Sequence, residues 1–130
     1  MGKRTSYKKI KRDFYPTPYE AVVPLLPHLP EKFLFDEPCA GNGMLLDHLE
    51  LAGHRCLRAT DDVGMFNVFD IKLAYGNCFI TNPPWSWQIL NPLISQLSSI
   101  TETWLLLNAD LMHNKRMSNH IKSCVKIVSV

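Results

Sequence analysis

Residues 33–46, Phe-Leu-Phe-Asp-Glu-Pro-Cys-Ala-Gly-Asn-Gly-Met-Leu-Leu, predict a strand, a tight turn and the start of a helix. The apolar run 33–35 is typical of a short buried strand, which two acids then end. Gly41 and Gly43 allow a sharp turn and a close approach of the backbone to a ligand. Apolar residues recur with helical spacing from 44 to 51, and the following glycine is placed to end that helix.

The same alternation of strands and helices continues toward the C-terminus. Strands are predicted over 56–60, 67–71, 78–81, 103–107 and 125–130, and helices over 89–97 and 114–123. Because the run 103–107 is apolar throughout, we expect it at the centre of the sheet. Pro92 is expected to kink or restart the helix that contains it. This order predicts an α/β domain with a mainly parallel sheet covered on both faces.

The segment before this unit contains a second helix signal. Thr17 followed by Glu20 forms a capping box, and Pro18 stands where the first helical residue is expected. A short helix through 21–23 would then be bent or ended by Pro24 and the prolines after it.

Composition limits the classes of protein to consider. The chain has 130 residues, 46% hydrophobic and 20% charged, which suits one globular domain and excludes collagen-like, coiled-coil and disordered chains. It contains no apolar stretch of membrane-spanning length, and no apolar run follows its basic N-terminus as a secretory signal would. We therefore expect an intracellular domain with no membrane partner.

The net charge of +2 conceals an asymmetry. Residues 1–12 carry six Lys or Arg and no acid, whereas residues 13–130 carry eight basic and twelve acidic side chains. We interpret 1–12 as a basic flexible arm and 13–130 as the domain. Such an arm either binds nucleic acid, by releasing counterions from phosphates, or is a solvated tail.

The cysteines and histidines do not form a metal-binding pattern. The chain has no C-x-x-C pair, and its five histidines do not fall at zinc-ligand spacings around Cys39, Cys56, Cys78 and Cys124. We expect buried free thiols in a reducing compartment, with no disulfide and no structural metal.

The glycine turn excludes two nucleotide-binding motifs. A dinucleotide fingerprint needs a third glycine where this chain has Leu46, and no Gly-Lys-Ser/Thr is present for a triphosphate. A nucleoside ligand without a pyrophosphate fits better, with Glu37 meeting a positive group. Asp61 and Asp62 end the next predicted strand, where they would either accept ribose hydroxyls or form a helix cap or a turn.

A second turn, Asn82-Pro83-Pro84-Trp85, also follows a predicted strand. The prolines make the backbone rigid, and the Asn82 amide with the carbonyls of Asn82 and Pro83 forms a cluster of hydrogen-bond acceptors. Trp85 offers a flat face for stacking. This arrangement suits an exocyclic amine on an aromatic base, and the alternative is a rigid loop with a core tryptophan.

Phe-Tyr-Pro-Thr-Pro at 14–18, Glu-Pro-Cys-Ala-Gly-Asn-Gly at 37–43 and Thr-Asn-Pro-Pro-Trp at 81–85 resemble motifs of S-adenosylmethionine-dependent amino-methyltransferases. Their order is similar to that of phage and bacterial adenine-N6 DNA methyltransferases, over roughly residues 13–130. The resemblance implies a Rossmann-like, class I methyltransferase three-layer sandwich. The chain ends within or just after the sixth of its seven usual strands, so we expect a C-terminally short version and an uncovered sheet edge.

The resemblance also implies roles for individual residues. It assigns catalysis to Asn82, Pro83, Pro84 and Trp85, and cofactor binding to Tyr15, Thr17, Pro18, Glu37, Pro38, Cys39, Ala40, Gly41, Asn42, Gly43, Asp61, Asp62, Asp70 and Ile71. The turn at 37–43 would hold the methionine end of the cofactor, and the element at 15–18 would close over its carboxylate. Asp61 or Asp62 would bind the ribose, and the pair at 70–71 would bracket the adenine.

The implied activity is transfer of a methyl group from S-adenosylmethionine to N6 of adenine in DNA, in the cytoplasm of a bacterium or a phage-infected cell. A duplex base would first be flipped out of the helix. RNA adenines and protein glutamines are alternative substrates, and a module that binds cofactor or nucleic acid without catalysis is a third hypothesis. The uncovered sheet edge would also permit a homodimer.

Overall fold

The computed structural model describes residues 16–60 and 68–130. Its strands are β1 (Leu34–Glu37), β2 (Arg55–Ala59), β3 (Cys78–Thr81) and β4 (Thr103–Leu105). Its α-helices are α1 (Tyr19–Val22), α2 (Met44–Leu51), α3 (Trp87–Ile100), α4 (Ala109–Met112) and α5 (Ser118–Ile121). Short 3-10 helices span Leu26–His28, Val68–Asp70 and Lys115–Met117. The predicted α/β class is confirmed.

The four strands form one parallel sheet in the order β2-β1-β3-β4. Phe35 of β1 is paired with Cys56 on one side and with Cys78 on the other. The chain moves outward from β1 to β2 and then returns past β1 to form β3. Since the strand order reverses between β1 and β3, a crevice opens beyond the carboxyl ends of these two strands.

Helices cover the two faces of the sheet, because successive strand residues point to opposite sides. Cys78 and Ile80 pack with the buried leucines of α2, whereas Phe79 packs with Leu93 and Leu97 of α3. The β1-to-β2 and β3-to-β4 connections run in opposite directions along the sheet. Right-handed crossovers therefore require α2 and α3 on opposite faces, as observed.

The loop before β3 is fastened to β1 by a buried carboxylate. Asp36 accepts hydrogen bonds from the backbone N–H groups of Tyr75 at 2.8 Å and Gly76 at 2.9 Å. The Arg58 guanidinium lies 3.5 Å from the same carboxylate and 4.3 Å from the centre of the Tyr75 ring. A Cβ on Gly76 would lie 2.7 Å from the Phe35 backbone, so only glycine permits this approach.

Three sheet predictions are wrong. Residues 68–70 form a 3-10 helix instead of a strand, because Ile71 turns into the core beneath α3 and its carbonyl accepts a hydrogen bond from Gln96. β4 lies at an edge of the sheet and not at its centre. The segment 125–130 forms no strand, and Val125 is 95% exposed, because this segment has no sheet face on which to pack.

The helix predictions also need correction. Pro18 is the N-cap of α1 and no side chain caps this helix, so the capping box is absent; the Thr17 hydroxyl instead accepts a hydrogen bond from Asn82. Pro92 lies inside the single helix α3 and does not restart it. The helix predicted over 114–123 is divided into Lys115–Met117 and α5. None of the helices described is long and apolar enough to cross a membrane.

Candidate functional site

The two motif-bearing turns meet in one cleft at the β1/β3 crevice. Its cavity has a volume of about 90 Å³ and is lined by Pro16, Thr17, Glu37, Cys39, Ala40, Gly41, Asn42, Leu45 and Asn82. Pro16 and Leu45 were not among the predicted site residues, although both adjoin the predicted motifs. The cleft thus joins the N-terminal segment, the glycine turn and the turn after β3.

The glycine turn makes the sharp change of backbone direction that the sequence predicts. Gly41 and Gly43 have φ angles of 57° and 83°, in the left-handed region. Gly43 is the N-cap of α2, and Asn42 Oδ1 accepts a hydrogen bond from the Met44 N–H at 3.1 Å. A further bond of 2.8 Å from the Ala40 N–H to the Thr60 carbonyl fastens the turn to the end of β2.

Glu37 is the ionisable group at the bottom of this cleft. Its side chain is 1% exposed, and Oε1 accepts a hydrogen bond from the Cys39 N–H at 2.9 Å. Burial raises the pKa of Glu37 to about 8, although nearby Thr81 and the Cys39 N–H counteract part of that effect. Burial of Glu37 therefore favours its neutral, protonated form at pH 7.

Two buried polar atoms beside the cleft lack a hydrogen bond of regular geometry. They are Glu37 Oε2 and Thr81 Oγ1. Thr81 is 1% exposed and ends β3, directly before Asn82. The two side chains lie close enough for Thr81 to lower the pKa of Glu37, and a polar ligand in the cleft would complete the hydrogen bonding of this buried pair. Thr81 was not among the predicted site residues. Its position at the end of a predicted strand, directly before Asn82, is the sequence feature from which it could have been predicted.

Asn82 is held by a chain of hydrogen bonds that crosses the cleft. Its Nδ2 donates to Thr17 Oγ1 at 3.1 Å. The Thr17 carbonyl lies 3.0 Å from His48 Nε2 on α2. Because a carbonyl can only accept, His48 carries its proton on Nε2 in this contact. Thr17 thereby connects α2 to the predicted catalytic amide.

The rest of the predicted catalytic turn is rigid. Pro83 and Pro84 are buried, and Trp85 is half-buried with its Nε1–H donating to the Leu106 carbonyl at 3.1 Å. This bond fastens the turn after β3 to the end of β4.

Other predicted cofactor residues lie apart from the cavity. Ile71 is buried in the core beneath α3, Asp70 ends the 3-10 helix before it, and Pro18 is exposed at the start of α1. Pro38 is buried, and its carbonyl accepts a hydrogen bond from the Thr60 hydroxyl. Tyr15, Asp61 and Asp62, like the basic arm 1–12, lie outside the described residues.

The cysteines do not contribute a nucleophile to the cleft. Burial raises the pKa of Cys39 to about 12, so its thiol stays protonated at neutral pH. All four cysteines are free, but the expectation that all are buried is wrong, because Cys56 is half-buried and Cys124 exposed. Within residues 16–60 and 68–130, no cluster of His, Cys, Asp and Glu could hold a metal ion.

A larger and more open groove of about 690 Å³ lies at the amino ends of the strands, on the far side of the sheet from the cleft, between the loop before β3 and the end of α3. It contains none of the predicted site residues. Its size alone does not make it the better candidate, since Glu37, the glycine turn and Asn82 all line the smaller cleft.

Comparisons with protein-family models, curated proteins and solved structures found no match.

Proposed function

We propose that the protein transfers a methyl group from S-adenosylmethionine to the exocyclic N6 amine of adenine in DNA. One observation carries the proposal: a single cleft brings Glu37 and the glycine turn beside Asn82. A cofactor turn and an amine-binding turn must lie this close if one ligand is to pass a group to the other.

The residues of the cleft fit the amino-acid end of this cofactor. Glu37 Oε2 is buried and makes no hydrogen bond of regular geometry, and it could accept one from the cofactor's ammonium group, with Thr81 beside the same carboxyl. Gly41 would allow the backbone to lie close to the ligand. A cavity of about 90 Å³ encloses only part of such a molecule, since whole small-molecule sites measure about 300–1,000 Å³.

When bound, the cofactor supplies a methyl group on a positively charged sulfur, which makes that methyl electrophilic. The chain supplies orientation. The Asn82 side-chain oxygen and the Pro83 carbonyl would each accept a hydrogen bond from the target amine, which favours a pyramidal nitrogen with a directed lone pair. Thr17 holds Nδ2 of the Asn82 amide, and the two prolines restrict movement of the turn. No strong base is needed, since the proton can leave after transfer.

The first test is a calorimetric titration of the full chain with S-adenosylhomocysteine. Binding at micromolar concentration is expected, and absence of binding to a folded protein would overturn the proposal. Label transfer from S-adenosylmethionine would then be measured on DNA, on RNA and on a glutamine-containing peptide. Transfer to DNA adenine is expected. Label on RNA or peptide alone would assign one of the alternative substrates, and binding without transfer would favour a non-catalytic module.

Asn82→Ala provides the matching variant. It should lower transfer by about 10²–10³-fold, the usual effect of removing one well-placed polar group from an active site, while affinity for S-adenosylhomocysteine stays within a few-fold. Asn77→Ala, an exposed asparagine at the amino end of β3, is the control and should be fully active. Full activity of the Asn82 variant would remove that residue from the mechanism.

A further inference from the structure

The sequence after α4 carries an uncompensated positive charge. The last acid of the chain is Asp110, and residues 111–130 contain Lys115, Arg116, Lys122 and Lys126 with no Asp or Glu. This second basic segment is distinct from residues 1–12, and the site described above gives it no role.

The structure places part of this segment beside the predicted catalytic turn. Leu106, which begins the connection after β4, accepts the Trp85 indole hydrogen bond and donates its own N–H to the Thr81 carbonyl at 3.0 Å. The connection therefore starts at the same sheet edge as Asn82, beyond the carboxyl ends of β3 and β4.

Three side chains then fasten the segment to the first half of α3. Met117 is 3% exposed and packs with Leu90 and Ile94. The Arg116 guanidinium lies 5.3 Å from the centre of the Trp87 ring, and His120 Nε2 lies 2.7 Å from Asn91 Oδ1. Since α3 begins two residues after Trp85, these contacts hold the basic residues close to the site.

The cations of this segment face solvent. Lys115, Arg116 and Lys122 are exposed, and none of them forms an ion pair with another of the residues that the structure describes. We name these three residues the basic ridge. Exposed cations are available to phosphates, whose binding releases counterions.

We propose that the basic ridge binds the phosphodiester backbone of the nucleic-acid strand whose base enters the cleft. The inference rests on the proposed function for the identity of that base, but the charge and the position of the ridge do not depend on it. An unpaired base held at Asn82 brings its flanking phosphates to the surrounding surface, and the ridge supplies cations there. Enzymes that act on extruded bases need such contacts to hold the strand in place.

The test compares two double variants that remove equal charge. Lys115→Gln/Lys122→Gln removes two of the three positive charges of the ridge and leaves the packing of Arg116 on Trp87 intact. Lys32→Gln/Lys72→Gln neutralises two exposed lysines away from the cleft, one just before β1 and one lining the groove at the amino ends of the strands. Both variants keep residues 1–12, so the arm contributes equally. Circular dichroism and thermal unfolding verify that each variant folds.

Binding of a fluorescein-labelled single-stranded DNA is measured by anisotropy over a range of salt concentrations, with an RNA of the same sequence alongside. Each lost phosphate contact lowers the slope of log K against log salt by about 0.7, so the ridge variant should lose about 1.4. The control variant should lose less than about 0.5. The nucleic acid, DNA or RNA, that shows the larger loss of slope is the one that the ridge prefers.

Equal losses in the two variants would assign the effect to net charge and overturn the proposal, as would an unchanged slope in both. If the double ridge variant fails to fold, Lys122→Gln alone should still lower the slope by about 0.7. The titration contains no cofactor and reads binding only. A failure of methyl transfer and a failure of the ridge are therefore measured separately.

Discussion

Asn82 Nδ2 donates to Thr17 Oγ1 at 3.1 Å, although 65 residues separate the two in the chain. Because Nδ2 of the Asn82 amide is bonded to Thr17, the amide oxygen Oδ1 is the end that faces away from Thr17. The helix-cap role that the sequence predicted for Thr17 is thus replaced by contact with the residue predicted to act on the substrate.

Replacing Thr17 with valine should lower kcat for methyl transfer by about 10-fold, because the half-buried amide nitrogen loses the Thr17 hydroxyl as an acceptor and the amide is held less firmly. Thr17→Ser retains the hydroxyl and should recover most of the activity. Steady-state kinetics with separate KM values for cofactor and DNA would measure both. Equal activity of the valine and serine variants would show that the hydroxyl does not orient Asn82.

His48 should affect transfer through Thr17, whose carbonyl lies 3.0 Å from its Nε2. His48→Leu removes this donor and should lower kcat by about 2–10-fold, which corresponds to one hydrogen bond of ordinary net strength. His48→Gln places an amide donor at a similar reach and is expected to restore activity. A glutamine variant as impaired as the leucine variant would indicate that His48 acts only through packing.

The stability of the protein should fall as pH rises from 6.5 to 8. The pKa of Glu37 is about 8 in the folded chain against an ordinary value of 4.5, because the carboxyl is buried. The folded state therefore holds a proton that the unfolded state has released, and the free energy of unfolding falls by at most about 1.4 kcal/mol per pH unit.

Urea unfolding at several pH values measures this loss. Glu37→Gln cannot ionise and should remove that part of the slope, whereas Glu31→Gln, an exposed glutamate, should leave it unchanged. The lowered pKa of His54, caused by burial, stays the same in every variant and cancels in the difference. A wild-type slope that persists in the Glu37 variant would contradict the assignment.

Gly76→Ala should destabilise the fold by about 3 kcal/mol, because the new Cβ would lie 2.7 Å from the Phe35 backbone and β1 would have to move. Gly53→Ala is the comparison. Gly53 has a φ of 99° but no neighbour within 4 Å of a new Cβ, so only backbone strain of about 1–2 kcal/mol is expected. Similar midpoints of thermal unfolding for the two variants would argue against the steric explanation.

Local patterns predicted much of the fold. The strand–turn–helix unit at 33–51 and the strand before Asn82 are where the sequence placed them, and parallel topology brings their ends to one edge. The long-range pairings were not predictable. The apolar run 103–107 indicates burial but does not indicate which position its strand takes in the sheet. A high β propensity at 125–130 does not form a strand unless a neighbouring strand is in place to pair with it.

The site was also predictable only in part, because local sequence patterns reveal some of its residues and not others. Asn82 and the glycine turn carry recognisable chemistry, and both reach the cleft. Thr17 and Thr81 are ordinary residues whose roles arise from neighbours distant in sequence. The same holds for the basic ridge, whose residues resemble any solvated polar helix until α3 is packed against them.

The central place of β1 has a consequence for synthesis on the ribosome. One edge of β1 is completed by β2 soon after it emerges, but the other must await β3, which ends at Thr81. At about 5–20 residues per second, that second edge is exposed for roughly 2–9 s in the nascent chain. During this interval the backbone N–H and C=O groups along that edge of β1 are open to chaperones, and Thr17 has no Asn82 to bind until the turn after β3 has been made.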